Sequence, residues 1–159
     1  MSNKLAWHGS VIGLYIAEQG GAPMQTLDTA ELIPGVGIAG DRYATGKGHY
    51  SPVPAPDRQI TLIEVETLEA LARDYDLVLS AAECRRNVCT RGVPLNHLVG
   101  REFYLGDALL YGARLNVPCK YLEKVTGKKV FEALKHRSGL NCEIRRGARV
   151  KIGDRLQPV

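Results

Sequence analysis

Arg101-Glu102-Phe103-Tyr104-Leu105-Gly106-Asp107-Ala108-Leu109-Leu110-Tyr111-Gly112-Ala113-Arg114-Leu115 is the stretch on which the fold turns. It contains two short runs, 101–105 and 109–115, of residues that suit a pleated, half-buried surface, and Gly or Asn bounds them. The same pattern extends in both directions. Residues 87–91, 140–145 and 149–152 are further short β-like runs, and residues 59–63 form another. Near the start, residues 11–17 make an apolar run that stops before Gly20-Gly21 and reads as a first strand. Helices are few. Over 64–75, Val65, Leu68, Ala72 and Tyr75 recur at helical spacing with acids between them, and two shorter helices are predicted over 118–125 and 128–135. Residues 32–58, rich in Pro and Gly, read as a long loop with room for one short strand. Many short strands with few crossover helices predict a mainly β protein, a closed or nearly closed barrel rather than a parallel α/β sheet.

A chain of 159 residues fits one domain, 1–159, and its 45% hydrophobic and 24% charged residues exclude a disordered chain or a disulfide scaffold. The longest apolar stretch is too short to span a bilayer and is followed by no signal-type cleavage site, so a soluble chain that keeps its N-terminus is expected. Four unevenly spaced cysteines without a C-x-x-C pair point to a reducing, cytoplasmic compartment. The net charge of +4 is modest, and thirteen of the twenty-one basic residues are Arg, whose planar fork suits carboxylate or phosphate. An anionic small ligand is expected; a polyanion is not required.

Several motifs fail on context. Gly35-Val36-Gly37-Ile38-Ala39-Gly40 spells a dinucleotide fingerprint, but Pro34 stands where a buried strand should end, and a loop-like segment follows in place of a helix. Gly46-Lys47 lacks the Ser or Thr and the earlier glycine of a P-loop. No His has a neighbour at zinc spacing and no G-x-S-x-G elbow exists. His49, in the long loop, is read as a solvated residue before a substrate contact.

Cys119 carries more. Pro118 before it favours a helix start, which puts the thiol in the first helical turn near free amides, with Lys120 and Lys124 close in sequence. A thiolate there can attack, carry sulfur or bind a soft metal, and a buried structural cysteine is the alternative. Cys142 fits that alternative, because Leu140, Cys142 and Ile144 alternate with Asn141, Glu143 and Arg145. In residues 85–91 the alternation places Arg85, Asn87, Cys89 and Arg91 on one face, either a polar pocket wall or a solvated outer surface.

Taken in order, Gly40-Asp41-Arg42, Arg58-Gln59-Ile60-Thr61-Leu62, Arg85-Arg86-Asn87-Val88 with Gly92, Leu95-Asn96 and Val99-Gly100, Pro118-Cys119, Arg137-Ser138-Gly139-Leu140 and Ile152-Gly153-Asp154 resemble the MOSC domain, related to the C-terminal part of molybdenum cofactor sulfurases. The resemblance implies a Greek-key β-barrel with a few short peripheral helices and a pocket for molybdenum cofactor, a phosphate-bearing pterin that holds molybdenum through a dithiolene. It puts the family's essential cysteine on Cys119, as metal ligand or persulfide carrier. It assigns cofactor binding to Arg42, Arg85 and Asn87, with the guanidinium groups on phosphate and the amide on a pterin edge. The sequence has no aminotransferase-like domain and no ferredoxin-type cysteine cluster. A separate electron donor or desulfurase is therefore the expected partner, beside a small-molecule substrate; neither a membrane nor a nucleic acid is expected. The leading reading is the catalytic subunit of a reductase of N-hydroxylated compounds. A sulfur carrier on Cys119 and a non-catalytic basic barrel that binds nucleic acid are the alternatives.

Overall fold

The structure, a computed structural model, describes residues 4–48 and 55–159. Its strands are β1 Gly9–Ile16, β2 Gln25–Leu27, β3 Thr29–Ile33, β4 Gly37–Ile38, β5 Ile60–Glu64, β6 Val88–Arg91, β7 Glu102–Leu105, β8 Ala108–Leu115, β9 Leu140–Arg146, β10 Ala148–Lys151 and β11 Arg155–Pro158. Two helices, α1 Val65–Tyr75 and α2 Lys120–Thr126, complete the regular structure together with short 3-10 turns at Pro56–Arg58 and Leu95–His97. Seven strands close a barrel in the order β1, β6, β5, β9, β8, β7, β11, because β11 pairs antiparallel with both β7 and β1. Strand β2 extends β1 outside the ring, and β10, β3 and β4 form a small second sheet. The only parallel pair in the barrel is β5 with β6, and α1 lies in the connection between them. The protein is thus a mainly β closed barrel with two short helices, as the strand pattern predicts.

Two apolar clusters organise the molecule. The barrel interior is filled by Val11, Leu14, Ile60, Leu62, Val88, Phe103, Leu110, Leu140, Cys142 and their neighbours. A second cluster lies outside the wall, where Ile63 and Cys89 meet Leu71 of α1, Leu122 of α2, and Val130 and Leu134 of the segment that follows it. The outer surface is therefore covered at Ile63 of β5 and Cys89 of β6, and the two strands are buried on both sides there.

The structure corrects four local expectations. Residues 128–135 are not a helix: a bend at Lys128 and two irregular residues lead into turns from Phe131 onward. Helix α1 exists as predicted but turns Thr67 and Leu71 inward, leaving Ala72 and Tyr75 exposed. Residues 25–27 and 155–158 are strands that the pattern did not show, and the loop predicted over 32–58 begins with the end of β3, while β4 is the one short strand it had room for. Cys119 is the N-cap of α2 with an extended backbone, not a first-turn residue, so Pro118 lies one position before the helix boundary. His49 falls outside the described residues.

Candidate functional site

Along β5, Ile60 and Leu62 point into the barrel, so Thr61 between them points out; along β9, Leu140 and Cys142 do the same and turn Asn141 outward. Thr61 is the register partner of Asn141, and Asn141 in turn faces Arg114 of β8. On the other side, the Asn87 amide donates to the Thr61 carbonyl at 2.9 Å. Asn87, at the entry to β6, Thr61, Asn141 and Arg114 consequently form a polar row across the outer wall. The row floors a cavity of about 300 Å³, also bordered by residues 41–43, Arg58, Arg85, Arg86 and the segment 116–122 with Cys119 and Tyr121. Among the described residues lining it are five arginines and a single carboxylate, Asp41.

Asp41 is the hub at one end. Gly40, at φ +83°, turns the chain so that this buried carboxylate accepts the Ala17 amide at 3.1 Å and Arg42 Nη1 at 3.0 Å through Oδ1. Its Oδ2 accepts Asn87 Nδ2 at 3.4 Å. Arg42 Nη2 donates to the Arg85 carbonyl at 3.2 Å, which ties the two arginines together. Arg85 has a left-handed backbone, φ +62°, and is buried, with Nη1 bonded to the Ala22 carbonyl. Its Nη2 is buried with no hydrogen-bond partner. Burial first, and then the adjacent Arg42 charge, push the Arg85 guanidinium below its ordinary pKa.

Asn87 lines the cavity, but its amide is committed within the protein. Oδ1 accepts the Thr61 amide at 3.0 Å and the Thr61 hydroxyl at 3.1 Å, while Nδ2 donates to the Tyr15 carbonyl at 3.1 Å and to Asp41. These bonds use its full donor and acceptor capacity, so Asn87 is built to position Asp41 and β5 rather than to read a ligand edge. Arg86 is similarly engaged: Nε donates to the Ser138 carbonyl at 2.9 Å, Nη1 to the Cys84 carbonyl at 3.0 Å, and Nη2 to Asn116 Oδ1 and the Ser138 hydroxyl. Asn116 Nδ2 then donates to Asn141 Oδ1 at 2.8 Å. Gly139, at φ +109°, makes this possible, since a Cβ there would collide with the Leu62 carbonyl and lift Ser138 off the wall.

The four cysteines separate cleanly. Cys142 is fully buried inside the barrel, and burial raises its pKa. Cys89 shares the outward face of Asn87, opposite Val88, as the alternation predicts, but there the face is covered by the second cluster rather than forming a polar pocket wall or a solvated surface, and burial pushes its thiol up to about 12. Arg85, with its left-handed backbone, precedes the strand, and α1 packs on β6. Cys84 is buried as well, whereas Cys119 is partly exposed, packs against the edge of the second cluster and lines the cavity. Arg42, Arg85, Asn87 and Cys119 thus border one cavity. Asp41, Thr61, Asn116, Asn141, Arg58 and Arg114 join them without a role assigned from sequence, although the β9 alternation already turned Asn141 away from the core.

The family profile of the MOSC domain matches residues 45–157. This chain belongs to the MOSC domain family. The match begins after Asp41 and Arg42, but structural likeness extends further. The YuaD protein of Bacillus subtilis is similar at a TM-score of 0.78 and 21% identity, over 94% of this chain and 96% of that one. YiiM of Geobacillus stearothermophilus gives 0.74 and 13%, over 95% and 75%, and YiiM of Escherichia coli gives 0.67 and 18%, over 98% and 70%. At these identities the likeness is one of fold. No curated protein matches the sequence. Among the described residues, no helix of this MOSC protein is long and apolar enough to cross a membrane.

Proposed function

We propose that the arginine-lined cavity holds molybdenum cofactor, with Cys119 as metal ligand, and that this MOSC protein is the catalytic subunit of a reductase of N-hydroxylated compounds served by a separate electron donor. The observation that carries the reading is Arg85, which lines a cavity rich in arginine and whose buried Nη2 has no hydrogen-bond partner. Such a donor costs stability unless an acceptor arrives, and a phosphate oxygen is the acceptor that suits a guanidinium best. Among the described residues no three His, Cys, Asp or Glu side chains gather around a point. A metal at Cys119 would therefore bring the rest of its coordination with it, as a dithiolene-held molybdenum does.

Bound there, the cofactor would supply two-electron redox chemistry at molybdenum. The protein's own contribution is orientation. Arg42 and Arg85 grip the phosphate, Asp41 and Asn87 hold those arginines and β5 in place, and Cys119 presents sulfur at the rim. The overall reaction converts R–NH–OH to R–NH2 and water, with two electrons from the partner and two protons from solvent. A second reading, a persulfide carrier, draws on Cys119 being partly exposed while the other three cysteines are buried, because a donor desulfurase must reach the thiol.

The test is molybdenum and pterin content after expression in a host that makes the cofactor. Wild-type protein is expected to contain both, and Cys119→Ser to lose most of the metal. Wild-type protein with neither would refute the reading, and full retention in the variant would move the ligand elsewhere.

A further inference from the structure

The polar row has two ends. Arg42 and Arg85 stand at the Asn87 end. Arg114 stands at the other, where its Nε donates to Asp57 Oδ2. Asp57 and Arg58 belong to the 3-10 turn that packs on β8 and β9, so Arg58 lines the same end of the cavity as Arg114. Strands in a sheet lie about 4.8 Å apart, so three intervals set the ends of the row about 14 Å apart. Asp57 takes only the Nε of Arg114, and the Arg114 side chain is 42% exposed, which leaves its terminal nitrogens able to meet a ligand that enters from solvent. Between the two ends the floor is neutral, made of Thr61 and Asn141, and the fifth arginine, Arg86, is engaged there with Ser138, Cys84 and Asn116; the remaining four stand in two groups. An anion held close to the Asn87 end therefore leaves Arg114 and Arg58 for a second one.

We propose that Arg114 and Arg58 form a second anion subsite, which binds a carboxylate or phosphate on the substrate while Arg42 and Arg85 hold the cofactor phosphate. The substrate of this protein is then an anionic small molecule whose charged group docks at the β8 end of the cavity. This rests on the cofactor assignment above for the identity of the first anion, not for the existence of the second subsite.

Arginine side-chain NMR on the folded apo-protein tests it, with separate titrations of inorganic phosphate and acetate. The Nε resonances of Arg85 and, as a second and independent event, of Arg114 and Arg58 are expected to shift, and Arg114→Gln is expected to weaken the second event, followed there at Arg58 Nε, at least tenfold while leaving the first unchanged. Response to acetate alone identifies a carboxylate subsite, response to phosphate alone a phosphate subsite, and response to both a subsite open to either anion. No response at Arg114 to either anion overturns the inference while leaving the cofactor reading intact. A response at Arg114 with none at Arg85 leaves the inference standing and removes the first anion site. Molybdenum content of Arg114→Gln decides the occupant: it should equal that of wild type, and loss of the cofactor would assign this end to the cofactor and overturn the substrate claim. Circular dichroism of the variant confirms that each comparison is made on folded protein, and Arg114→Lys, which keeps the charge, should restore part of the second event.

Discussion

Strands β5 and β9 each serve two regions that differ completely in chemistry. Toward the interior they present Ile60, Leu62, Leu140 and Cys142 to a cluster without a charged side chain. Toward the outside, one residue along, they present Thr61 and Asn141 to a cavity ringed with arginine. The contrast separates what holds the barrel together from what the barrel is for. Apolar burial dominates the interior and needs no ligand. The cavity wall retains a buried guanidinium with an unmet donor, which is a cost in the free protein that a bound anion would offset.

The largest expected effect lies on the interior side. Phe103 is fully buried and meets Trp7 edge to face at a centroid distance of 6.2 Å. Phe103→Ala should cost about 3–5 kcal/mol in urea unfolding, with cofactor retention by the folded fraction unchanged. Loss of the cofactor at unchanged stability would erase the distinction between the two regions. The cavity wall should behave in the opposite way, and its two arginines should differ from each other. Arg42→Ala leaves Asp41 buried without its ion-pair partner and should cost about 1–3 kcal/mol in the apo-protein. Arg85→Ala removes a buried charge that lacks one of its partners and should change apo stability by less than about 1 kcal/mol, while both variants lose cofactor. A large drop in apo stability for Arg85→Ala would make that residue structural.

The smallest effect belongs to neither region. Glu64, at the junction of β5 and α1, has a carboxyl pushed up to about 7 by burial and then by the nearby Glu66 charge. A folded pKa above the unfolded value means that the native state binds the extra proton, so this contribution is present in full below about pH 4.5 and is lost as the pH rises to about 7. Partial exposure screens the group, and the loss should be on the order of 1 kcal/mol. Glu64→Gln should flatten the stability profile between these pH values, as followed by thermal melting; an unchanged slope would assign it to other groups.

The barrel was legible in the sequence wherever a strand carried its own alternation, as in β8 and β9. Strand β11, which closes the ring, was not: only Leu156 is buried among its four residues, and pairing with β7 and β1 creates the strand. Short ordered motifs singled out Cys119, Arg42 and Arg85, which the fold brings to one cavity. Asn87 was singled out as well, but an amide in a motif does not reveal that Thr61, Tyr15 and Asp41 engage it within the protein. Alternation put Cys89 on the right face but could not register that α1 and the second cluster cover that face. Arg114 acquires meaning only from register, since Thr61 and Asn141, which bring it to the cavity, are distant in sequence.

The central claim is that Cys119 ligates the metal of a cofactor held by the cavity, and alkylation tests it most directly. Apo- and cofactor-loaded protein would be treated with iodoacetamide at neutral pH and the modified cysteines mapped by mass spectrometry. Cys142 and Cys84 should stay unmodified in both, being buried. The account expects Cys119 to react in the apo-protein and to be protected in the loaded protein. Equal reaction of Cys119 in both forms would contradict it and, with uptake of a persulfide from a desulfurase, would make the protein a sulfur carrier.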